Sequence, residues 1–274
     1  MKTLALFIAF ITFIHLGKAI PISDTPSFSC GTVVSHDYLN NYAHIGEHSR
    51  SNPVPRLNRK LSVVAHIVKD SLGVPAHTET AIAAAVAGLN PLFDPIKISF
   101  AVCDYRYIDN YNFYDLIKEE KEPEMLANFY ENNVINLYCV DHITLAGDSV
   151  GGYAYMPGGP DVIVLAQMSA IAHEMGHFFG LLHTFDTDNG VELVNGSNCE
   201  TAGDLICDTD ADPYYEDMPM DGCNIEEDLV DTLGVYYVPP TNNIMSYYGC
   251  ACKFTQGQYR RMAAQFLAFK EHLW

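Results

Sequence analysis

The sequence predicts an α+β fold: a mixed, twisted sheet with two long helices, then an irregular, disulfide-linked lobe that ends in a helix. Three observations lead there. Short β-branched apolar runs alternate with helical stretches as far as Leu181. Beyond His183 that periodicity stops, acids accumulate, and five of the eight cysteines follow: Cys199, Cys207, Cys223, Cys250 and Cys252. A helical apolar spacing then returns close to the C-terminus.

Taken in order, Met1 to Ala19 reads as a signal peptide. Lys2 supplies the positive start, Leu4 to Leu16 is almost wholly apolar, and Gly17-Lys18-Ala19 places small residues at the cleavage positions. The apolar run is short for a bilayer span and no second run is long enough, so a secreted chain without a membrane span is expected. Residues 20–60 are polar and weakly periodic. Within them Asn52-Pro53-Val54-Pro55-Arg56-Leu57-Asn58-Arg59-Lys60 reads as a linker open to a trypsin-like protease, so 20–60 is expected to be a propeptide.

From residue 61 the pattern is that of a folded α/β unit. Strands are expected at Leu61–Val68, Ile96–Cys103, Val134–Val140 and Val162–Leu165, with a short edge strand at Gly151–Tyr155. Helices are expected at Glu79–Leu89, where Thr78 is the N-cap, in part of Tyr114–Tyr130, and at Met168–Leu181. The last helix, about Thr255 to Leu267, turns an apolar face through Met262, Phe266 and Phe269. Cys103 and Cys139 fall on expected strands and are candidates to pair. The net charge of −19 excludes nucleic acid as a partner, since phosphates are repelled. It suits bound calcium, basic substrates, or solubility alone.

The chemistry concentrates in His173-Glu174-Met175-Gly176-His177-Phe178-Phe179-Gly180-Leu181-Leu182-His183, which reads H-E-x-x-H-x-x-G-x-x-H. On a helix, residues four apart share a face, so His173 and His177 aim at one metal ion. Glu174 lies about 100° round the helix and reaches a water on that metal without ligating it. Gly180 lets the chain turn out of the helix and return His183 as a third ligand. Three nitrogen ligands with an open fourth position describe a catalytic zinc site.

Further motifs follow in order: His183-Thr184-Phe185, Cys199, Gly203-Asp204, Cys207-Asp208-Thr209, Asn243-Ile244-Met245-Ser246-Tyr247, Cys250, Cys252, and Phe254-Thr255-Gln256-Gly257-Gln258-Tyr259-Arg260-Arg261-Met262. The extended histidine motif is that of the metzincin metallopeptidases. The ordered set resembles their pappalysin (cytophagalysin) family across roughly residues 61 to 270. It departs from it at Ile244 and Ser246, where Tyr and Asp are expected.

That resemblance implies a metzincin-like catalytic domain over 61–274, with an N-terminal lobe (61–183), a C-terminal lobe (184–274) and a substrate cleft between them. It implies a Met-turn with Met245 as an apolar floor under the imidazoles, and Tyr247 beside the metal as an oxyanion donor. It implies an edge strand near Gly152 to Tyr155 that pairs with an extended peptide. Calcium is implied in the acidic lobe, with Asp204, Asp208 and Thr209 as oxygen ligands; solvated acids are the other reading of those residues. Two interlocked disulfides are implied, mapping to Cys199–Cys223 and to Cys207 with Cys250 or Cys252. Finally, Cys30-Gly31-Thr32 resembles the Cys-Gly-Thr of the relatives' propeptides and implies a cysteine switch, in which Cys30 takes the water's place on zinc until cleavage near Arg56 to Lys60. The residues alone leave open a disulfide from Cys30 to Cys250 or Cys252.

The expected function is a secreted, monomeric zinc endopeptidase acting on protein or peptide substrates and made as a latent proenzyme, with Glu174 as base and Tyr247 as oxyanion donor. The alternative is a secreted zinc-binding adhesion or interaction protein on the same scaffold without proteolysis. Glu174 weighs against it, because a binder has no need of the base.

Overall fold

The computed structural model describes residues 29–35, 38–40, 45, 53–215, 218, 220–221 and 223–273. The expected signal peptide and the start of the expected propeptide lie outside the described residues.

A five-stranded sheet organises the first half of the chain. It is built from β1 (Arg59–Val68), β2 (Ile98–Ile108), β4 (Ile135–Cys139), β7 (Gly152–Ala154) and β8 (Val162–Leu165), in the order β2-β1-β4-β8-β7. β1, β2, β4 and β8 run parallel; β7 pairs antiparallel with β8 and forms one edge. Central parallel strands are buried on both faces, hence the near-continuous apolar run of β1. On one face Val63, Ala65, Ile67, Leu137 and Ile163 meet α1 (Glu79–Phe93) and α3 (Ile171–Phe178). On the other, Tyr138, Val140, Val162 and Val164 meet α2 (Lys118–Phe129). A second sheet joins β3 (Asp115–Ile117), β5 (His142–Leu145) and β6 (Asp148–Val150) in the order β3-β5-β6. The chain closes on α4 (Gln256–Gln265), which continues as a π-helical turn to Lys270.

The fold is the α+β arrangement that the sequence predicts, and the differences are local. β1 starts at Arg59, two residues early, because Leu57 N donates to Ile96 O and Arg59 N to Lys97 O and draw the chain along β2. α1 has Thr78 as its N-cap, with the hydroxyl accepting from Ala81 N at 3.2 Å. It runs past Pro91 to Phe93, whose buried ring meets Phe100, Phe179 and Phe254. Packing there outweighs the backbone hydrogen bond that proline forfeits. The β5–β6 hairpin was not expected. Its loop is Ala146-Gly147, both at positive φ (51° and 99°), and alanine is a poor signal for such a turn.

The helix carrying the histidines is shorter than expected. It ends at Phe178, where Gly180 takes φ +88°. Leu181 N then donates to Gly176 O at 3.0 Å and Gly180 N to His177 O at 2.8 Å, a Schellman cap.

The disulfide expectations are corrected. The bridges are Cys199–Cys207 (Cα–Cα 5.0 Å) and Cys223–Cys250 (Cα–Cα 5.6 Å), instead of Cys199–Cys223 and Cys207 with Cys250 or Cys252. Gly203 and Leu205, both in the left-handed region, fold the chain back so that Cys207 meets Cys199 within its own turn. Cys103 and Cys139 do not pair. β1 lies between their strands, and two strand spacings are about 9–10 Å, beyond the roughly 7 Å a disulfide spans. Cys103 sits at the register shift of β2, unpartnered between Val102 and Asp104. Cys30 and Cys252 are also unpaired, so Cys30 is not held by a bridge to Cys250 or Cys252.

Helix α3 packs closely against Met245. A Cβ added to Gly176 of α3 would collide with the Met245 sulfur. Gly176→Ala is therefore expected to lower stability by about 1–3 kcal/mol, the cost of overpacking a filled core. Thermal unfolding measures this, and a melting temperature equal to the parent's would mean that Met245 is not seated against the helix.

Candidate metal centre

Three imidazoles converge. His173 and His177 project from one face of α3, and the Schellman turn at Gly180 returns His183 to them. The three Nε2 atoms lie 3.1 Å from one another. The contact between His173 and His177 is not a hydrogen bond. His173 Nδ1 lies 2.8 Å from Ile244 O and His177 Nδ1 2.8 Å from Leu181 O. A carbonyl only accepts, so both Nδ1 atoms carry the proton and both Nε2 atoms present lone pairs. Burial lowers the pKa of His173 to about 4 and holds His177 and His183 well below the ordinary histidine value, so the rings are neutral. Two facing acceptor nitrogens with no proton between them, and a third imidazole nitrogen 3.1 Å from both, fit a cation at their centre. The Cys30 sulfur completes the set: its Sγ and the three ring nitrogens all lie within 4.8 Å of one another. Nitrogen and thiol sulfur in a compact four-atom group is the donor set that zinc takes.

Glu174 is fully buried beside this group. Its Oε2 accepts from the Thr32 hydroxyl at 3.0 Å and lies 3.5 Å from Cys30 Sγ, while Oε1 has no hydrogen-bond partner. Burial pushes the carboxyl up to about 7, and the hydrogen bonds from Cys30 and Thr32, with the Lys118 charge, oppose that rise. Tyr247 stands across the group, its ring 5.6 Å from that of His173 and 5.1 Å from that of His183. Its hydroxyl accepts from Cys30 N at 2.8 Å, and burial raises its pKa above the ordinary tyrosine value.

The segment around Cys30 lies on the free edge of the main sheet. Cys30 bridges Gly152 in parallel sense, Gly31 N donates to Gly152 O, and Gly151 N donates to Ser29 O, both at 2.8 Å. Ala154 N donates to the Thr32 hydroxyl at 2.9 Å. The expected edge strand is thus β7, and residues 29–32 of the same chain extend along it.

The expected Met-turn, Asn243 to Tyr247, lies against the histidine helix, with the Met245 sulfur close to Gly176. Met245 is fully buried, and Thr184 N donates to Met245 O at 3.1 Å. Asn243 Oδ1 accepts from Met245 N at 2.9 Å, and Ser246 Oγ, where the family pattern has Asp, donates to Asn243 O at 2.7 Å. Asn243 exchanges two hydrogen bonds with the buried Gln258 amide, 2.9 and 3.0 Å long. Gln258 is also the third residue of a capping box with Thr255 at the start of α4. Thr255-Gln256-Gly257-Gln258 has the T-x-x-Q spacing that signals such a box, but no spacing in the sequence links Gln258 to Asn243. Asp212 accepts from Thr184 Oγ1 and Tyr248 OH, each at 2.6 Å, and so ties the residues that follow His183 and Tyr247. No sequence signal marks that contact.

The three acidic-lobe residues do not act alike. Asp204 is buried, and its Oδ1 accepts from Thr209 Oγ1 and Ile206 N, both at 2.9 Å. Burial, then the nearby Glu192 carboxylate, push its pKa well up. Asp208 instead faces the start of α4, accepting from Thr255 Oγ1 at 2.8 Å and Gly257 N at 2.7 Å.

Comparison with known proteins agrees with this geometry. Residues 133–267 match the Peptidase_M43 family, described as Pregnancy-associated plasma protein-A. An extracellular metalloprotease of Aspergillus fumigatus is 34% identical over 119 residues, which are 42% of this chain and 32% of that protein. The chain thus matches about a third of that relative's length (32%). An extracellular metalloprotease of Arthroderma gypseum is 22% identical over 280 aligned positions, covering 92% of this chain and 88% of the relative. Among solved structures, mature mirolysin of Tannerella forsythia aligns over 76% of this chain and 91% of its own, at 20% identity and a TM-score of 0.49. The stretch that matches this metallopeptidase family, residues 133–267, holds all three histidines and the segment from Asn243 to Tyr247.

Proposed function

We propose that the chain is a secreted zinc endopeptidase, here in its latent form. The observation that carries the reading is the convergence of three neutral imidazole nitrogens with a buried carboxylate alongside. His173, His177 and His183 would hold the zinc. When bound, zinc acts as a Lewis acid on the scissile carbonyl and lowers the pKa of a water at the site toward about 7.

The chain's own residues do the rest. Glu174 takes the proton of the attacking water and returns it to the leaving amine, as a carboxylate beside that water can do. The Tyr247 hydroxyl donates to the oxyanion that develops on the scissile carbonyl. An extended peptide would pair with β7 in the place that residues 29–32 occupy. In the latent chain Cys30 would supply a fourth ligand, and Thr32 would engage Glu174, so that neither water nor base is available. Release would follow cleavage after Arg56, which is exposed; a cut after Arg59 or Lys60 falls inside β1. On this reading Met1 to Ala19 is the signal peptide, the segment from Ile20 is the propeptide, and the catalytic domain begins with β1.

Calcium belongs to the same proposal in an altered form. Asp204 and Thr209 remain candidate ligands, and Glu192 replaces Asp208. The Glu192 Oε2 is buried without a partner beside Gly203, and burial pushes this carboxyl up to about 7. A cation would relieve two buried carboxylates that oppose each other's charge.

Three outcomes test the proposal. Glu174→Ala should keep its zinc, measured by elemental analysis, and lose about 100-fold or more in kcat/KM on a peptide, the usual share of a general base. A variant retaining a tenth of the activity would refute the assigned role. Cys30→Ala should make the uncleaved chain active or rapidly self-processing; a variant as silent as its parent rules out the thiol latch. Millimolar calcium should raise the melting temperature of the parent but not of Glu192→Gln, because only the folded lobe binds it. No shift in the parent would mean that these acids are merely buried.

A further inference from the structure

The segment that lies on β7 makes a second contact that thiol latency does not require. Residues 38–40 are helical, and Tyr38 and Leu39 are buried against Met156, Leu182 and Leu205. Ser35 closes the turn, its carbonyl accepting from Leu39 N at 3.0 Å and its hydroxyl from Tyr38 N at 3.1 Å. The Tyr38 hydroxyl reaches the bottom of the pocket and donates to Gly180 O at 3.3 Å. A Cβ built on Gly180 would stand 2.6 Å from both that hydroxyl and Gln265 Cγ, so the two side chains converge on the glycine. Both amide atoms of Gln265 are buried with no hydrogen-bond partner among the described residues. Arg261, one turn earlier on α4 and also buried, donates to Leu205 O at 3.2 Å, and its charge acts on the Tyr38 hydroxyl.

The walls of this pocket are therefore apolar and its floor is polar. The floor offers an acceptor at Gly180 O and amide groups at Gln265. A phenol supplies the hydrogen bond that Gly180 O accepts, whereas a phenyl ring of the same size leaves that buried carbonyl without it. Every wall and floor residue belongs to the part of the chain that remains after a cut near Arg56. The pocket lies beside Met156, just past the end of β7, while Cys30 sits opposite Gly152 at the strand's start. A peptide laid along β7 with a carbonyl near the histidines thus reaches the pocket from one side of that carbonyl only.

We propose that this pocket is a tyrosine-binding subsite, filled by Tyr38 in the uncleaved chain and by a tyrosine of the peptide substrate once residues 29–40 have left the cleft. The second half rests on the peptidase reading; the first does not. The full chain carrying Tyr38→Ala keeps the pocket and vacates it. By saturation-transfer NMR, N-acetyl-tyrosinamide should bind that variant about fivefold or more tighter than N-acetyl-phenylalaninamide, should not bind the parent, and should be lost again when Leu205→Trp fills the pocket. Equal binding of the two amides, or binding of neither, overturns the subsite. The substrate half is read from a peptide library cleaved by the parent after trypsin activation. Tyrosine should be enriched about fivefold or more at a single position on one side of the cut. Cleavage without such a position overturns that half while leaving the peptidase reading intact. Absence of all cleavage sinks the peptidase reading and the substrate half with it, and the amide titration still decides the pocket.

Discussion

The fold depends on holding three imidazole nitrogens 3.1 Å apart in an apolar interior. Left alone, the facing lone pairs of His173 and His177 repel and the two rings would turn away. Two backbone carbonyls prevent this by taking the Nδ1 protons. One, Leu181 O, comes from the turn that Gly180 makes. The other, Ile244 O, comes from the far lobe. The second hydrogen bond makes the segment from Asn243 to Tyr247 part of the candidate metal centre: if the segment moves, the His173 ring loses its orientation. Asn243 and Gln258 lock the turn to the cap of α4, so the last helix supports the first ligand through a chain of buried hydrogen bonds. Partners of this kind orient metal-ligating histidines and raise their basicity.

The free edge of β7 carries two readings of one surface. An unpaired strand edge invites pairing with any extended chain. Here residues 29–32 take that edge and bring Cys30 to the imidazoles and Thr32 to Glu174. The contacts that silence the proposed base are therefore the contacts that an incoming peptide would have to replace. The proposed latency would thus have a steric and a chemical component, and Tyr38, donating to Gly180 O, adds a third point of attachment.

The centre was legible in the sequence because its information is local. His173 and His177 are one helical turn apart, Gly180 announces the break, and His183 follows within the same stretch. The strands were legible for a similar reason, since β-branched apolar runs between turn residues have few alternatives. What escaped was long-range. Cys103 and Cys139 look like partners until the sheet order puts β1 between them. Cys199 and Cys207 look too close until the left-handed Gly203 and Leu205 fold the chain between them. Asp208 resembles a metal ligand in sequence, yet it caps a helix that begins about fifty residues later, as its bonds to Thr255 and Gly257 record. Such pairings are decided by packing, and no spacing rule contains them.

The central claim is that the histidine triad and Cys30 form one zinc centre in the uncleaved chain. X-ray absorption at the zinc edge of the purified full-length protein tests it most directly. The account predicts three nitrogen scatterers at about 2.0–2.1 Å and one sulfur at about 2.3 Å, with the sulfur lost in Cys30→Ala. A first shell of nitrogen and oxygen alone in the uncleaved parent would contradict it.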